Sequence, residues 1–448
     1  LRAMGFKSVD FLVPNRFDYG YGLTPEIVDL AAGKSPDLII TVDNGISSVE
    51  GVARANKLGI EVIVTDHHLP GSQLPDAVAI VNPNQQGCDF PSKNLAGVGV
   101  AFYLLIALRT ELRQQQWFDQ QQIAEPNLSQ WLDLVALGTV ADVVPLDQVN
   151  RALVHQGLLR IRSGHSRPGI QALLRIAGKN PARLVATDLG FALGPRLNAA
   201  GRLDDISLGI QCLLCDDPQQ ALHTAQELDE LNQDRKSIET GMQQQALAIV
   251  EQLGLEDKSM PAALCLFQPD WHQGVVGLLA SRIKEKYHRP VVAFARGDNG
   301  ELKGSSRSIP GLHIRDALDA VATQNPGLIT KFGGHAMAAG LSLTEDKLAE
   351  FEQAFQQQVA ELISEDDLQA RLVTDGSLDA HQLSMHTAEL LRDAGPWGQQ
   401  FPEPCFQGDF HIVQQRIVGE KHLKLVLAPQ NQPEIAIDAI WFNIDTAR

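Results

Sequence analysis

Two short apolar segments, each followed directly by acidic or histidine side chains, constrain this sequence more than any other feature. Residues 38–42 and 62–65 are rich in isoleucine, valine and threonine, which favours buried strands of a parallel sheet. Asp43 follows the first segment, and the run Asp66–His68 follows the second. In open parallel sheets, ligands bind beyond the carboxyl ends of the strands. We therefore expect these side chains to meet in one crevice and to form a metal site.

The types of donor narrow the choice of metal. Carboxylates and imidazoles without a thiolate suit Mn²⁺ or Mg²⁺ better than Zn²⁺. Asp43 can bridge two ions, His67 can bind one, and His68 can face a phosphate or act as an acid. Asp142, which follows an apolar helix-like run and a Gly-Thr break, is a further candidate ligand. The alternative is that Asp43 and Asp66 cap helices, that Asp142 ends one, and that the histidines are ordinary polar residues.

Length and composition exclude several classes of protein. The 448 residues suggest about three domains, and no apolar run approaches the roughly 20 residues that cross a bilayer. A net charge of −17 argues against a protein that coats nucleic acid non-specifically, although residues 282–331 are locally basic. The five cysteines are scattered, which fits a reduced, cytoplasmic setting. Cys212 and Cys215 lie in an apolar run that favours a helix core over zinc binding or redox chemistry.

The pattern along the chain predicts four segments. Residues 1–150 alternate between strands and helices, as in a parallel α/β domain, and residues 151–255 are helical and end in a long amphipathic helix. Residues 256–365 return to strands, helices and glycine-rich loops, which predicts a second α/β domain. Residues 366–448 contain short alternating strands, the first at 372–378, which favours a small β-barrel of the oligonucleotide-binding type.

A second set of residues has the chemistry of phosphate recognition. One arginine follows a strand predicted at residues 10–14, and two more bracket a turn of small residues within segment 194–205. In the second α/β domain, glycine-rich loops beside polar or cationic side chains would let backbone N–H groups approach phosphate oxygens. Surface arginines, helix-packing turns and ordinary glycine turns are the alternatives. The candidates are Arg16, Arg196, Arg202, Ser305, Arg307 and His335.

Seven motifs, in their order along the chain, resemble those of the DHH phosphoesterase superfamily: TVDNGISS, VTDHHLP, GTVADVVPL, GPRLNAAGRLDD, HQGVVGLLASRI, KGSSRS and FGGHAMAAG. Within it, the set is most similar to the bacterial single-strand-specific 5′-to-3′ DNA exonucleases, over nearly the whole chain. The resemblance implies an α/β protein with a parallel-sheet DHH domain, a long connecting helix, an α/β DHH-associated domain and a C-terminal oligonucleotide-binding β-barrel.

The resemblance also implies roles for individual residues. Asp43 would bridge two Mn²⁺ or Mg²⁺ ions, His67 and Asp142 would complete one of them, and His68 would contact the scissile phosphate. Asp66 joins Asp43 and His68 in the catalytic set. The substrate path would be lined by Arg16, Arg196, Asn198, Arg202, Ser305, Arg307 and His335.

Two departures from the family pattern matter. The Asp-x-Asp cluster that the family carries on its first strand is absent, and the chain starts with Leu1 in a helix-like segment. We therefore expect a chain that lacks an upstream strand, is short of ligands for the second ion, and belongs to a complete protein that is the active enzyme. Ser306 stands where the family usually has glycine, and we expect it to narrow the phosphate pocket slightly.

The function that the resemblance implies is hydrolysis of single-stranded DNA from its 5′ end to mononucleotides, in DNA repair and recombination, and the expected mechanism is two-metal hydrolysis of the phosphodiester. Single-stranded DNA is the expected partner, and a single-strand-binding protein and a RecQ-type helicase are expected further partners. One alternative is a DHH phosphodiesterase for short oligonucleotides or cyclic dinucleotides, against which the third domain argues. The other is a metal-free scaffold that binds single strands, and binding of Mn²⁺ distinguishes it from the enzymes.

Overall fold

A computed structural model of the chain describes residues 1–13, 22–203, 205–252, 260–297 and 300–444. The chain divides into two compact units. The first unit contains residues 1–194, 213–222 and 373–448, and the second contains residues 195–212 and 223–372. No helix in the described part of the chain combines the length and hydrophobicity that crossing a bilayer requires.

The first unit contains the parallel sheet that the sequence predicts. Strands β1, β2 and β3 lie side by side in that order, at Leu38–Val42, Glu61–Thr65 and Ala79–Val81. The helices around the first strands are α1 at Pro25–Ala32 and α2 at Val49–Lys57. Helix α1 begins where its sequence predicts, because Thr24 accepts a hydrogen bond from the Ile27 N–H and proline is the first helical residue.

The core of this sheet consists of valines and other aliphatic residues. Val28, Val52, Val62 and Val64 are fully buried between the sheet and the helices, and each such side chain stabilises the fold by about 1.5–3 kcal/mol. The strand predicted at residues 10–14 is not present. Residues 10–13 form no strand, and the last residue of the predicted segment lies outside the described residues.

Helices follow β3 along the chain, first in the first unit and then, from residue 195, partly in the second. After β3 come α3 at Gly97–Gln114, α4 at Trp117–Gln121, α5 at Leu132–Ala141, α6 at Gln148–Arg162 and α7 at Pro168–Ile176. Further along are helical turns at Ala186–Asp188 and Leu189–Leu193, and then α8 at Gly194–Leu203, α9 at Ser207–Leu214 and α10 at Pro218–Gln252. Helix α10 is the predicted long helix. In α9, Cys212 is fully buried, as its apolar surroundings predict, and all five cysteines are free thiols.

The second unit is built on a five-stranded mixed sheet in the order β4-β5-β6-β8-β7. Its strands are β4 at Leu264–Phe267, β5 at Val291–Arg296, β6 at Glu301–Arg307, β7 at Lys331–Gly334 and β8 at Ala338–Thr344. Its helices are α11 at Val276–Tyr287, α12 at Ile314–Gln324 and α13 at Leu348–Leu362. Three fully buried rings, Phe294, Phe351 and Phe355, join the sheet to α13, with neighbouring centroids 5.5 Å apart.

The C-terminal residues belong to the first unit. Helix α14 at Met385–Ala394 precedes an antiparallel sheet of β9 at Phe410–Val418, β10 at His422–Pro429 and β11 at Ile437–Trp441. The strand predicted at residues 372–378 contributes only a single bridge, between Ser377 and Gln407. Within the described residues, the β-structure of the predicted barrel segment therefore consists of this three-stranded sheet, that bridge and a second bridge between Gly398 and Phe401.

Candidate active site

Asp43 leaves strand β1 in an uncommon backbone conformation. Its φ of 64° lies in the left-handed region, which aspartate tolerates better than most residues. The Asp43 N–H still donates to the Thr65 carbonyl at 3.0 Å, so the residue extends the pairing of β1 with β2 before the chain turns. Gly45 completes the turn with a φ of 114°, and a Cβ there would lie 2.6 Å from Thr41 Oγ1. The position of the Asp43 carboxylate is therefore set by this backbone turn.

The first residue of helix α3 lies against the Asp43 side chain. A Cβ atom on Gly97 would come within 2.4 Å of Asp43 Oδ1, which is too close for any side chain. Glycine at this position is thus required by a close approach. The start of α3 restricts the directions in which the Asp43 carboxylate can point.

Asp66 is 1% exposed, and both of its oxygens are occupied. Oδ1 accepts hydrogen bonds from the backbone N–H groups of His67 and His68 and pairs with His68 Nδ1 at 2.7 Å, while Oδ2 accepts from the Ile46 N–H. Burial raises the pKa of Asp66, but the hydrogen bonds from His68 and Ile46 outweigh it and hold the pKa below its usual value. Asp66 therefore orients His68 and is not available as a metal ligand.

Three other donors converge at the same edge of the sheet. His67 Nε2 lies 3.0 Å from Asp43 Oδ1 and 3.4 Å from Oδ2 of Asp142, the residue at which α5 ends. Asp43 Oδ1 and His67 Nε2 are buried atoms, and neither makes a hydrogen bond of acceptable geometry. Adjacent ligands of an octahedral ion with bonds of about 2.1 Å stand about 3 Å apart. The distances between these atoms, and the lack of hydrogen bonds to Asp43 Oδ1 and His67 Nε2, therefore fit ligands that share one divalent ion.

The pKa shifts around this cluster have electrostatic causes. Burial and the neighbouring Asp43 carboxylate raise the pKa of Asp142. Burial lowers the pKa of His67, but its contacts with Asp43 and Asp142 outweigh burial and raise it. The pKa of His68 is raised chiefly by its hydrogen bond to Asp66. Two carboxylates crowded around one imidazole favour a cation between them. Within the described residues, one group of three His, Cys, Asp or Glu side chains has ligand atoms that all lie within 4.8 Å of one another, and it consists of Asp43, His67 and His68. Because Asp66 engages His68 Nδ1, we take Asp142, 3.4 Å from His67, as the third candidate ligand.

The second unit brings two of the predicted phosphate-binding residues together. Arg307 Nη1 donates to Ser305 Oγ at 3.2 Å and to the Ser306 carbonyl at 2.8 Å. A Cβ on Gly277, in the first turn of α11, would lie 2.9 Å from both Ser305 Oγ and Arg307 Nη2. Burial lowers the pKa of Arg307, so its charge is incompletely solvated. A cation and a hydroxyl beside the N-terminus of a twelve-residue helix form an arrangement suited to a phosphate.

The other predicted phosphate-binding residues are dispersed or otherwise engaged. In α8, Arg196 Nε lies 2.8 Å from Asp229 Oδ1, Arg202 Nη1 donates to the Gly274 carbonyl at 3.1 Å, and Asn198 is exposed. His335 is exposed in the turn between β7 and β8, where its N–H donates to the Ala338 carbonyl. Arg16 lies outside the described residues.

Ser306 does not narrow the phosphate pocket, contrary to the sequence-based expectation. Side chains alternate across strand β6, so Ser306 faces away from Ser305 and Arg307. Ser306 is fully buried and donates to the Ala339 carbonyl at 2.8 Å. Its hydroxyl therefore stabilises the pairing of β6 with β8.

Sequence analysis missed three residues that support the metal centre. Gly97 touches Asp43, and the amides of Asn82 and Asn84 contact the backbone next to the DHH histidines. The signal for the asparagines was available, because the Asn-Pro-Asn run directly follows β3 at the carboxyl edge of the same sheet. The signal for Gly97 was weaker, since a run of small residues at a helix start has many explanations.

Comparison with family models divides the chain into three regions. Residues 1–139 match the N-terminal domain of the DHH family, residues 258–361 match the DHHA1 domain, and residues 374–447 match the RecJ OB domain. The first region contains Asp43 and the DHH histidines, and the second contains Ser305 and Arg307.

Known proteins resemble the chain along almost all of its length. A single-stranded-DNA-specific exonuclease RecJ from Salmonella typhimurium is 60% identical over 446 residues, which are 100% of this chain and 77% of that protein. A crystal structure of RecJ with Mn²⁺ from Thermus thermophilus has a TM-score of 0.75 at 31% identity and covers 93% of this chain and 58% of that one. A Mg²⁺ complex of RecJ from Thermus thermophilus has a TM-score of 0.69 at 30% identity and covers 92% and 56%. With this identity and coverage, the chain belongs to the RecJ family of the DHH superfamily.

Proposed function

We propose that this chain carries the catalytic centre of a metal-dependent exonuclease that hydrolyses single-stranded DNA from its 5′ end to mononucleotides. The observation that carries the proposal is the convergence of Asp43, His67 and Asp142, with two buried donor atoms unsatisfied. The relatives named RecJ act on single-stranded DNA, and two solved relatives are complexes with Mn²⁺ and Mg²⁺. The donor set, which has no thiolate, suits the same two ions.

Each residue of the centre has a distinct part in the proposed reaction. Asp43, His67 and Asp142 would hold the ion, which when bound would activate water and neutralise charge on the phosphoryl oxygens. Asp66 engages Nδ1 of His68, so His68 would meet the scissile phosphate, or protonate the leaving oxygen, through its Nε2. Because Asp66 is buried and ionised, it holds the His68 ring in one orientation for this role.

Residues of the second unit would determine the direction in which the enzyme degrades the strand. Ser305 and Arg307, beside the first turn of α11, would bind a phosphate of the strand and thereby select one end of it. Arg16, Arg196, Asn198, Arg202 and His335 would line the rest of the strand path, as the family pattern implies.

The cellular setting and protein partners are also part of the proposal. Free cysteines and a DNA substrate fit the bacterial cytoplasm. Repair and recombination would supply single-stranded DNA through a single-strand-binding protein and a RecQ-type helicase.

The test combines Mn²⁺ binding with strand cleavage. Mn²⁺ titration is followed by calorimetry, and release of label from 5′-labelled and 3′-labelled single strands is compared with release from duplex and from a cyclic dinucleotide. Cleavage is measured for this chain and for a version extended by the Asp-x-Asp segment of the family. We expect Mn²⁺ binding by both, and early release of 5′-labelled mononucleotide from the single strand by the extended version.

Asp43→Asn is the informative variant, because asparagine tolerates the left-handed backbone at this position. It should weaken Mn²⁺ binding and cleavage by more than about 100-fold, the upper range for residues that merely support a ligand, without lowering the melting temperature. Asp119→Asn, which alters a surface aspartate in α4, is the control and should change neither. Strand binding without Mn²⁺ binding would favour the scaffold, and cleavage of the dinucleotide alone would favour the small-substrate phosphodiesterase.

A further inference from the structure

The loop after strand β3 is attached by side-chain amides to the backbone of the DHH histidines. Asn82, which is 3% exposed, donates from Nδ2 to the His68 carbonyl at 2.9 Å and accepts at Oδ1 from the Asn84 N–H at 2.7 Å. Asn84 Nδ2 donates to the His67 carbonyl at 2.5 Å and to the Lys93 carbonyl at 3.1 Å. The two side-chain amides therefore fix the backbone carbonyls of both histidines.

The same loop is attached at its other end to the segment that follows Asp142. Asn150 Nδ2 donates to the Asn94 carbonyl at 2.6 Å and to the Pro145 carbonyl at 2.9 Å, three residues beyond Asp142. The neighbouring Asp147 receives a hydrogen bond from Ser92 Oγ at 2.6 Å and caps helix α6 with its other oxygen. Residues 82–94 thus bridge the two backbone segments that carry His67 and Asp142.

We propose that Asn84 is a positioning residue for the metal centre, and that with Asn82 and Asn150 it forms an amide frame that sets the distance between His67 and Asp142. These two ligands come from different loops, since His67 follows β2 and Asp142 ends α5. Residues 66–71 form no helix or strand, so their own backbone provides little restraint. The side-chain amides of Asn82 and Asn84 restrain this backbone by donating hydrogen bonds to the carbonyls of His68 and His67. Tight metal binding requires that the residues around a ligand hold it in place in this way.

The chemistry of the contacts favours a carboxamide at position 84. Nδ2 of asparagine carries two hydrogens, and here each is directed at a backbone carbonyl, of His67 and of Lys93. An aspartate at this position would direct an oxygen at the same two acceptors and repel them. Asn84→Asp should therefore disturb the centre more than Asn84→Ala, which only removes the contacts.

The experiment measures Mn²⁺ affinity by calorimetry and the melting temperature of the metal-free chain. Asn84→Ala should weaken Mn²⁺ binding about tenfold, and Asn84→Asp more, within the 10- to 100-fold range typical of residues that orient metal ligands. The matched control is Asn56→Ala, which removes another Asn Nδ2 contact to a carbonyl, that of Asp76, at 2.8 Å. This control should leave the affinity unchanged. If Asn84→Ala does not fold, Asn84→Ser replaces it in the same assay.

A second readout separates positioning from general destabilisation. The inference rests on the proposed function, so cleavage by the extended version is measured against Mn²⁺ concentration. The Asn84→Ala variant should need about tenfold more Mn²⁺ for half-maximal activity and should approach the wild-type rate at saturation. A variant that binds Mn²⁺ like the wild type, and only melts earlier, overturns this inference and leaves the proposed function standing. A wild-type chain that binds no Mn²⁺ overturns both.

Discussion

At the scale of single residues, the centre depends on positions that carry no reacting group. Gly97 leaves room for the Asp43 carboxylate, and Asp66 holds His68 through an engaged, buried carboxylate. Such residues contribute through geometry, because a displacement of a ligand by a few tenths of an ångström is enough to weaken a metal site.

Gly97→Ala tests this dependence directly. The new methyl group would lie 2.4 Å from Asp43 Oδ1, so either the carboxylate or the start of α3 must move. We expect Mn²⁺ affinity to fall at least about tenfold, measured by calorimetry. Gly241→Ala in helix α10, where a Cβ meets no atom within 4 Å, is the matched control. It should leave Mn²⁺ affinity unchanged and stabilise the chain by up to about 1 kcal/mol. Equal affinities for both variants would contradict the close-approach argument.

At the scale of secondary-structure elements, strand alternation decides the role of each residue in β6. Ser305 and Arg307 face the start of α11, whereas Ser306 faces the core and bonds to the neighbouring strand β8. Three adjacent residues of one motif are thereby divided between the proposed phosphate contact and the stability of the sheet.

Ser306→Gly should therefore lower stability, and Arg307→Ala should lower strand affinity. Ser306→Gly removes a buried hydrogen bond and adds backbone freedom, so the free energy of unfolding should fall by about 1–2 kcal/mol with strand affinity unchanged. Arg307→Ala should lower the affinity for a 5′-phosphorylated single strand about tenfold or more with a small effect on stability. Denaturant unfolding and fluorescence anisotropy measure the two quantities. A clear gain in strand affinity from Ser306→Gly would restore the idea that this hydroxyl narrows the pocket.

The elements that the sequence predicts correctly are those that gain a partner in the fold, either by burying apolar residues or by pairing with a neighbouring strand. Strand β2 and helix α10 bury apolar residues, whereas β1, in which Leu38 and Val42 are more than a third exposed, pairs with β2 along its whole length. Residues 10–13 pair with no strand among the described residues, and Phe11 and Val13 remain more than a third exposed. The segment at 372–378 forms only the bridge from Ser377, and Leu372 and Val373 are over 80% exposed. Strand pairing is non-local, so an apolar run predicts a strand only when a partner lies beside it.

The residues of the candidate site also fall into those that the sequence predicts and those that only the folded structure reveals. The ligand types follow from which residues end the strands, so Asp43 and His67 can be selected from the sequence. The amide contacts of Asn84 and the close approach at Gly97 arise only when separate segments meet. Both features depend on tertiary packing, which cannot be read from the spacing of residues along the chain.

At the scale of the whole molecule, the net charge of −17 opposes a polyanionic substrate. Attraction to DNA must therefore come from a few local cations rather than from the average field, which at physiological ionic strength is screened beyond about 8 Å. Few phosphate contacts imply a weak dependence of affinity on salt.

The salt dependence of single-strand binding checks this conclusion. A plot of log affinity against log salt concentration should have a slope of about −2 to −3, as expected for three or four neutralised phosphates at about −0.7 each. Arg307→Ala should reduce the slope by about 0.7. Arg54→Ala changes the net charge equally but alters a surface ion pair with Asp29, so it should leave the slope unchanged. Equal changes from both variants would mean that the overall field, and not a local contact, governs binding.

The left-handed backbone at Asp43 limits how this centre can evolve. A φ of 64° is tolerated by short polar residues and resisted by longer or branched ones. Glutamate, which keeps the carboxylate but is one methylene longer, would meet both this backbone and the start of α3 at Gly97. We therefore expect changes in metal preference to arise at His67 or Asp142, and position 43 to change only together with its turn.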